Sequence, residues 1–178
     1  ILARMTPSIL LNAFGNKCII ELKRSLKDIW DHTKDLATRR KNMESLIYKF
    51  FTAIDKSGVN TKHYKDIFEP MSDNAFNSYF RDFFANEDKY LILTIVDYER
   101  TIKIPDIERA AKVLNIPLYE YVYMPHINHD KERPVVTIRP VPVGYINIKR
   151  TQQTIAKKNG LSTNIDARSA ITGQVVQH

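Results

Sequence analysis

One cysteine, five glycines and no apolar run near membrane-spanning length set the first limits on this 178-residue chain. Cys18 alone can form neither an internal disulfide nor a cysteine-rich zinc site, and it is compatible with a reducing compartment. The glycines, Gly15, Gly58, Gly144, Gly160 and Gly173, never fall in a G-x-x-x-x-G-K or G-x-G-x-x-G spacing, so nucleotide cradling by a glycine loop is excluded. No stretch approaches the ~18 consecutive apolar residues of a spanning helix. The opening Ile1-Leu2-Ala3-Arg4-Met5 lacks the basic start, apolar stretch and small-residue cleavage site of a secretory signal. The closing Gly173-Gln174-Val175-Val176-Gln177-His178 carries no helix stop or polar tail. Both ends read as those of a piece cut from a longer polypeptide.

Core material and charge are plentiful. The composition is 43% hydrophobic, 10% aromatic and 26% charged, which suits a globular fold and excludes general disorder, collagen-like fibre and low complexity. The length fits one large or two small domains. The net charge of +7 is unevenly spread. Residues 1–70 carry 13 basic and 8 acidic groups, residues 71–133 carry 8 and 11, and residues 134–178 carry 6 against Asp166 alone. A polyanion should therefore touch the two ends.

Apolar spacing divides the chain into three parts. From Pro7, the positions Leu11, Phe14, Cys18, Leu22, Leu26 and Ile29 recur at helical steps, with Pro7 suited to a first turn. A second stripe, Met43, Leu46, Ile47, Phe50, Phe51 and Ile54, runs into Ser57-Gly58, a plausible stop. Joined through the charged stretch Lys34–Lys41, these predict a helical hairpin within residues 1–68. Residues 69–133 predict a small β-α-β insertion. It opens with a helix capped by Ser72 or Asp73 and carrying Phe76, Tyr79, Phe80, Phe83 and Phe84. A strand at Tyr90–Val96 buried on both faces, a helix opened by Pro105 and a strand at Leu118–Met124 follow. Residues 134–178 read as bent or edge strands broken by Pro140 and Pro142, then a basic loop. The expected class is α+β.

Little in the sequence would run catalysis unaided. His126-x-x-His129-Asp130 has metal-type side chains at close spacing, but a metal needs a third or fourth ligand that no nearby cysteine supplies, and a solvated turn is the plainer reading. Asp97 and Glu99 after the apolar run could bind Mg²⁺ or act as acid and base, or simply mark the polar exit of a strand. Cys18 on an apolar stripe reads as a buried, inert thiol, and His63 has no Cys or Ser motif beside it. The basic tail remains: Lys149, Arg150, Lys157, Lys158 and Arg168, interleaved with amide and hydroxyl side chains that can bond backbone or sugar. A merely solvated basic loop is the alternative, since the tail has no aromatic platform within it.

Three short blocks resemble, in order, the C-terminal part of the β subunit of multisubunit DNA-dependent RNA polymerases. Ala3-Arg4-Met5-Thr6 before a helix resembles that family's S-R-M-T/N block. Val143-Gly144-Tyr145-Ile146 resembles its V-G-Y-M, and Ala167-Arg168-Ser169 the A-R-S of its H-A-R-S-T-G. The long middle is similar in style to the divergent, often split, β subunits of large-genome bacteriophages. The resemblance implies a hybrid-binding, clamp-proximal segment whose partner β′ subunit holds the Mg²⁺-binding aspartates of nucleotidyl transfer, with no catalytic residue or metal in this chain. Arg4, Met5, Gly144, Tyr145 and Ser169 would then lie at the cleft and subunit interface. Lys149, Arg150, Lys157, Lys158 and Arg168 would contact template DNA or the RNA–DNA hybrid. Asp166 stands where the family has histidine, and a carboxylate repels phosphate there. The implied location is the host cytoplasm during infection, and the virion if the enzyme is packaged. The rival reading from a different class is a structural virion or DNA-packaging-associated protein with basic, nucleic-acid-facing ends.

Overall fold

The computed structural model describes residues 7–94, 96–97, 100–125, 127 and 135–147, with backbone alone at 7, 96, 97, 100 and 101. The described residues form five helices: α1 (Pro7–His32), α2 (Leu36–Ile54), α3 (Val59–Phe68), α4 (Asp73–Ala85) and α5 (Ile104–Val113). Two short antiparallel pairs complete the set, β1 (Val96–Asp97) with β2 (Arg100–Thr101) and β3 (Tyr119–Glu120) with β4 (Val141–Pro142). The class is α+β with mainly helical content, and it opens with the expected helical region. The chain divides after Ile146, and every element named above lies in the first unit.

Both apolar stripes are buried as their spacing requires. Phe14, Cys18, Leu22 and Leu26 of α1 face Met43, Ile47, Phe50, Phe51 and Ile54 of α2, all within one core. α2 is the central element and touches each of the other four helices. The hairpin connection is shorter than the charged stretch suggested. Asp35 caps α2 by accepting from the Thr38 amide at 2.9 Å, so Leu36–Lys41 is helical and only residues 33–35 turn the chain. The core also runs across residue 68, since Phe68 of α3 lies against Phe76 and Phe80 of α4. Ser72 caps α4 through the Ala75 amide, and of its five aromatic rings only Tyr79 is substantially exposed.

The junction between α2 and α3 combines two devices. Gly58 adopts φ 75°, a left-handed conformation natural to glycine, and reverses the chain. The buried Asp55 carboxylate accepts from the amide and hydroxyl of Ser57 and from the amide and side-chain NH₂ of Asn60. Burial raises the pKa of this carboxyl, but those hydrogen bonds outweigh it and hold Asp55 below the usual aspartate range.

The strand expected at Tyr90–Val96 takes another form. Leu91 is buried, Ile92 is 71% exposed, and among the described residues of the run only Val96 belongs to a paired strand, as the first residue of β1. Its edge is satisfied by a helix instead. The Tyr64 hydroxyl donates to the Ile92 carbonyl at 2.8 Å and accepts from the Ile92 amide at 2.6 Å. Asn60, one turn earlier on α3, donates to the Thr94 carbonyl and accepts from the Thr94 amide, both at 3.2 Å. Four helical residues rise about 6.0 Å and two extended residues about 6.7 Å, so side chains at i and i+4 can meet alternate residues of an extended chain. The expected strand–helix–strand order is present around α5, but β1 pairs with β2 and β3 with β4, so these strands do not share a sheet.

Two outcomes follow. Tyr64→Phe strands both backbone groups of Ile92; it should cost about 1–3 kcal/mol in urea unfolding and speed exchange of the Ile92 amide. Asp55, with a folded pKa below its unfolded value of about 3.9, stabilises fully above that value and loses the contribution as pH falls through the folded pKa. Urea midpoints measured against pH should therefore drop below about pH 4, and Asp55→Asn should lower neutral-pH stability while flattening that acid slope.

Candidate nucleic-acid interface

Of the residues singled out by sequence, Gly144 and Tyr145 are described, whereas Arg4, Met5, Lys149, Arg150, Lys157, Lys158, Arg168, Ser169 and Asp166 lie outside the described residues. The two described residues sit on α1, the helix into which the Arg4-Met5 block leads. A Cβ at Gly144 would stand 2.5 Å from the backbone oxygen of Ala13. The requirement for glycine is thus one of space, since its φ is outside the left-handed region. The Tyr145 amide donates to that same Ala13 carbonyl at 3.2 Å, using its second lone pair, and Asn16 Nδ2 donates to the Tyr145 carbonyl at 3.0 Å. Ala13, Asn16 and Lys17 share one face of α1 by their spacing. That face, small then polar, is what the backbone of residues 144–145 needs.

Lys17 fastens the same region from the other side. Its ammonium is buried, donates to the Pro117 carbonyl at 2.7 Å and pairs with Glu120 on β3. Phe14 meets the Tyr119 ring edge-on at 5.4 Å. The Val143 amide, next along from β4, donates to the Leu118 carbonyl at 3.0 Å. Pro142 pairs opposite Tyr119 at a position where no ladder amide is called for, consistent with the edge character its sequence implied. Ala13, Asn16 and Lys17 were not singled out from sequence; a lysine beside Cys18 on a buried stripe was the available signal.

Part of the positive charge of residues 1–70 is built into the fold. The Lys23 ammonium donates to the carbonyls of Asn86, Glu87 and Lys89 beyond the end of α4 and lies over the rings of Phe83 and Tyr90. Burial pulls it below the usual lysine range against the opposing pull of Asp88 and Glu87. Arg24 pairs with Glu21, which together with the Tyr145 side chain raises its pKa. Arg39 stacks over Trp30 and donates to the Thr33 carbonyl. Arg40 donates to the Phe68 and Met71 carbonyls, pairs with Glu44 and Asp73, and covers the Phe76 ring. Lys34, Lys41, Lys49, Lys56 and Lys62 are exposed. Lys17, Lys23, Arg39 and Arg40 thus serve as internal clamps, and the exposed lysines are the part of the N-terminal positive charge that faces outward.

Cys18 is fully buried, and burial pushes its thiol up to about 12, so it is the inert core thiol its position predicted. No group of three or more potential metal ligands occurs among the described residues; His129, Asp130 and Glu99 are outside them, as is His126. No described helix is long and apolar enough to cross a membrane. Compared with protein-family models, curated proteins and solved structures, the chain matches none.

Gly144→Ala should displace residues 143–146 from α1, because the obstructing atoms are backbone. The expected cost is about 1–3 kcal/mol in thermal or urea unfolding. Loss of hydrogen-exchange protection at the Tyr145 amide, with little change at amides of α4, is the specific signature.

Proposed function

We propose that the chain is part of the β subunit of a phage-type multisubunit DNA-dependent RNA polymerase, contributing template or hybrid contacts and the β′ interface in transcription. The observation that carries the reading is the seat of Gly144 and Tyr145 on Ala13 and Asn16 of α1. The second block of the resemblance thus packs on α1, the helix that follows the first block in sequence more than a hundred residues earlier. Chance matches of three or four residues carry no such requirement.

In this reading Arg4, Met5, Gly144, Tyr145 and Ser169 lie along the cleft and subunit interface. Lys149, Arg150, Lys157, Lys158 and Arg168 supply phosphate contacts. Gly144 sets how closely the segment after β4 approaches α1. Catalytic Mg²⁺ belongs to the partner β′ subunit, and this chain contributes binding and positioning, with no catalytic residue of its own. The assembly works in the host cytoplasm during infection, or enters with the virion.

The test is to purify the native assembly containing this chain and identify its co-purifying polypeptides by mass spectrometry. A partner with an N-A-D-F-D-G-D-type aspartate loop is the expected result. Capsid or tail proteins alone would overturn the reading and favour a structural or packaging protein. In the same assembly, Lys149→Glu with Arg150→Glu should weaken nucleic-acid retention and lower the log–log salt slope by about two, one per lost phosphate contact. An unchanged slope removes that role from the pair.

A further inference from the structure

Tyr119, Tyr121 and Tyr123 alternate along an extended segment whose ladder pairs Tyr119 with Pro142 and Tyr123 with Val136. Alternation puts the three on one side of the ribbon. On the other side Leu118 is buried and Glu120 is joined to Lys17, while Val122 is exposed. The row stands in solvent: Tyr121 is 63% exposed and Tyr123 45%. Tyr119 is steadied at one end by its edge contact with Phe14. Successive members are about 6.8 Å apart along the strand.

The charges of this ribbon point to one kind of occupant. Among its described residues only Glu120 and Arg139 are charged. Glu120 is engaged with Lys17, and Arg139 is exposed on the returning strand. By the ladder register Arg139 falls between Val141, the partner of Glu120, and Val136, the partner of Tyr123, so the described part of the ribbon sets an exposed cation across from the aromatic row. In sequence the returning strand runs on toward Lys149 and Arg150, within the segment of six basic groups and one acidic group. Bare rings on a strand that also carries an exposed cation are what a single-stranded nucleic acid uses: bases stack on the rings and phosphate meets the cation. Duplex keeps its bases stacked on one another and cannot use such rings.

We propose that Tyr121 and Tyr123 form a stacking platform for single-stranded nucleic acid, with Arg139 as a phosphate contact. The proposal rests on the reading of the chain as a nucleic-acid-contacting polymerase segment, and adds to the basic residues an aromatic site that they lack. Stacking is indifferent to salt and phosphate contact is not, so the two contributions separate.

The full 178-residue chain is titrated with fluorescein-labelled oligo-dT and with duplex of equal length across a range of salt concentrations. Oligo-dT should bind more tightly than duplex. Tyr121→Ala with Tyr123→Ala should weaken oligo-dT binding by roughly 5- to 150-fold per stacked base, with the salt slope unchanged. Tyr121→Phe with Tyr123→Phe, which keeps both rings, should bind as the parent does. Equal affinity for the alanine pair, while Lys149→Glu with Arg150→Glu still flattens the slope, overturns the platform and leaves the basic contacts standing. Absence of salt-dependent binding by the parent chain overturns both. Release of a co-purifying protein by the alanine pair with oligo-dT affinity intact makes the row a protein contact, and also overturns the proposal.

Discussion

Burial of a single helix organises the described part of this molecule. Met43, Ile47, Phe50, Phe51 and Ile54 form the buried stripe of α2, and α1, α3, α4 and α5 each pack on that helix. At about 1.5–3 kcal/mol for each large apolar side chain removed from water, those five positions outweigh any one polar contact in the fold. The antiparallel strand pairs are only two residues long and cannot stand alone, so they depend on being pinned to that helical body.

The pinning is done by polar side chains acting on backbone. Arg40 holds the end of α3 to the start of α4, Lys23 gathers three carbonyls beyond α4, and Lys17 fixes β3 to α1. Asn60 and Tyr64 give the segment around Ile92 and Thr94 the hydrogen bonds that a neighbouring strand would otherwise supply. Four of the thirteen basic groups in the first 70 residues are thus taken up by contacts within the fold, while eight others are exposed. A cation spent on carbonyls or over a ring is largely unavailable to a ligand.

Legibility differed by element for physical reasons. The stripes of α1 and α2, the Ser72 cap of α4 and the Pro105 start of α5 were readable because they depend on neighbours within a turn or two. α3 was not, since a ten-residue helix opened by a left-handed glycine has little periodicity to offer. The apolar run at Tyr90–Val96 suggested a doubly buried strand, yet Ile92 faces solvent because the hydrogen-bonding partner is a helix on one edge. At the candidate interface Gly144 and Tyr145 were chosen by resemblance. The reason for glycine, the Ala13 carbonyl, lies 131 positions earlier and leaves no local mark.

By itself, the sequence determined the α+β class, the two amphipathic helices, the inert Cys18 and the uneven distribution of charge, because each depends on composition or on spacing within a single element. Only the tertiary structure decided which cations are spent internally, what satisfies the edge near Ile92, why position 144 must be glycine, and that Tyr121 and Tyr123 are left bare. Those outcomes depend on which surfaces meet, and that is settled by packing between residues far apart in the chain.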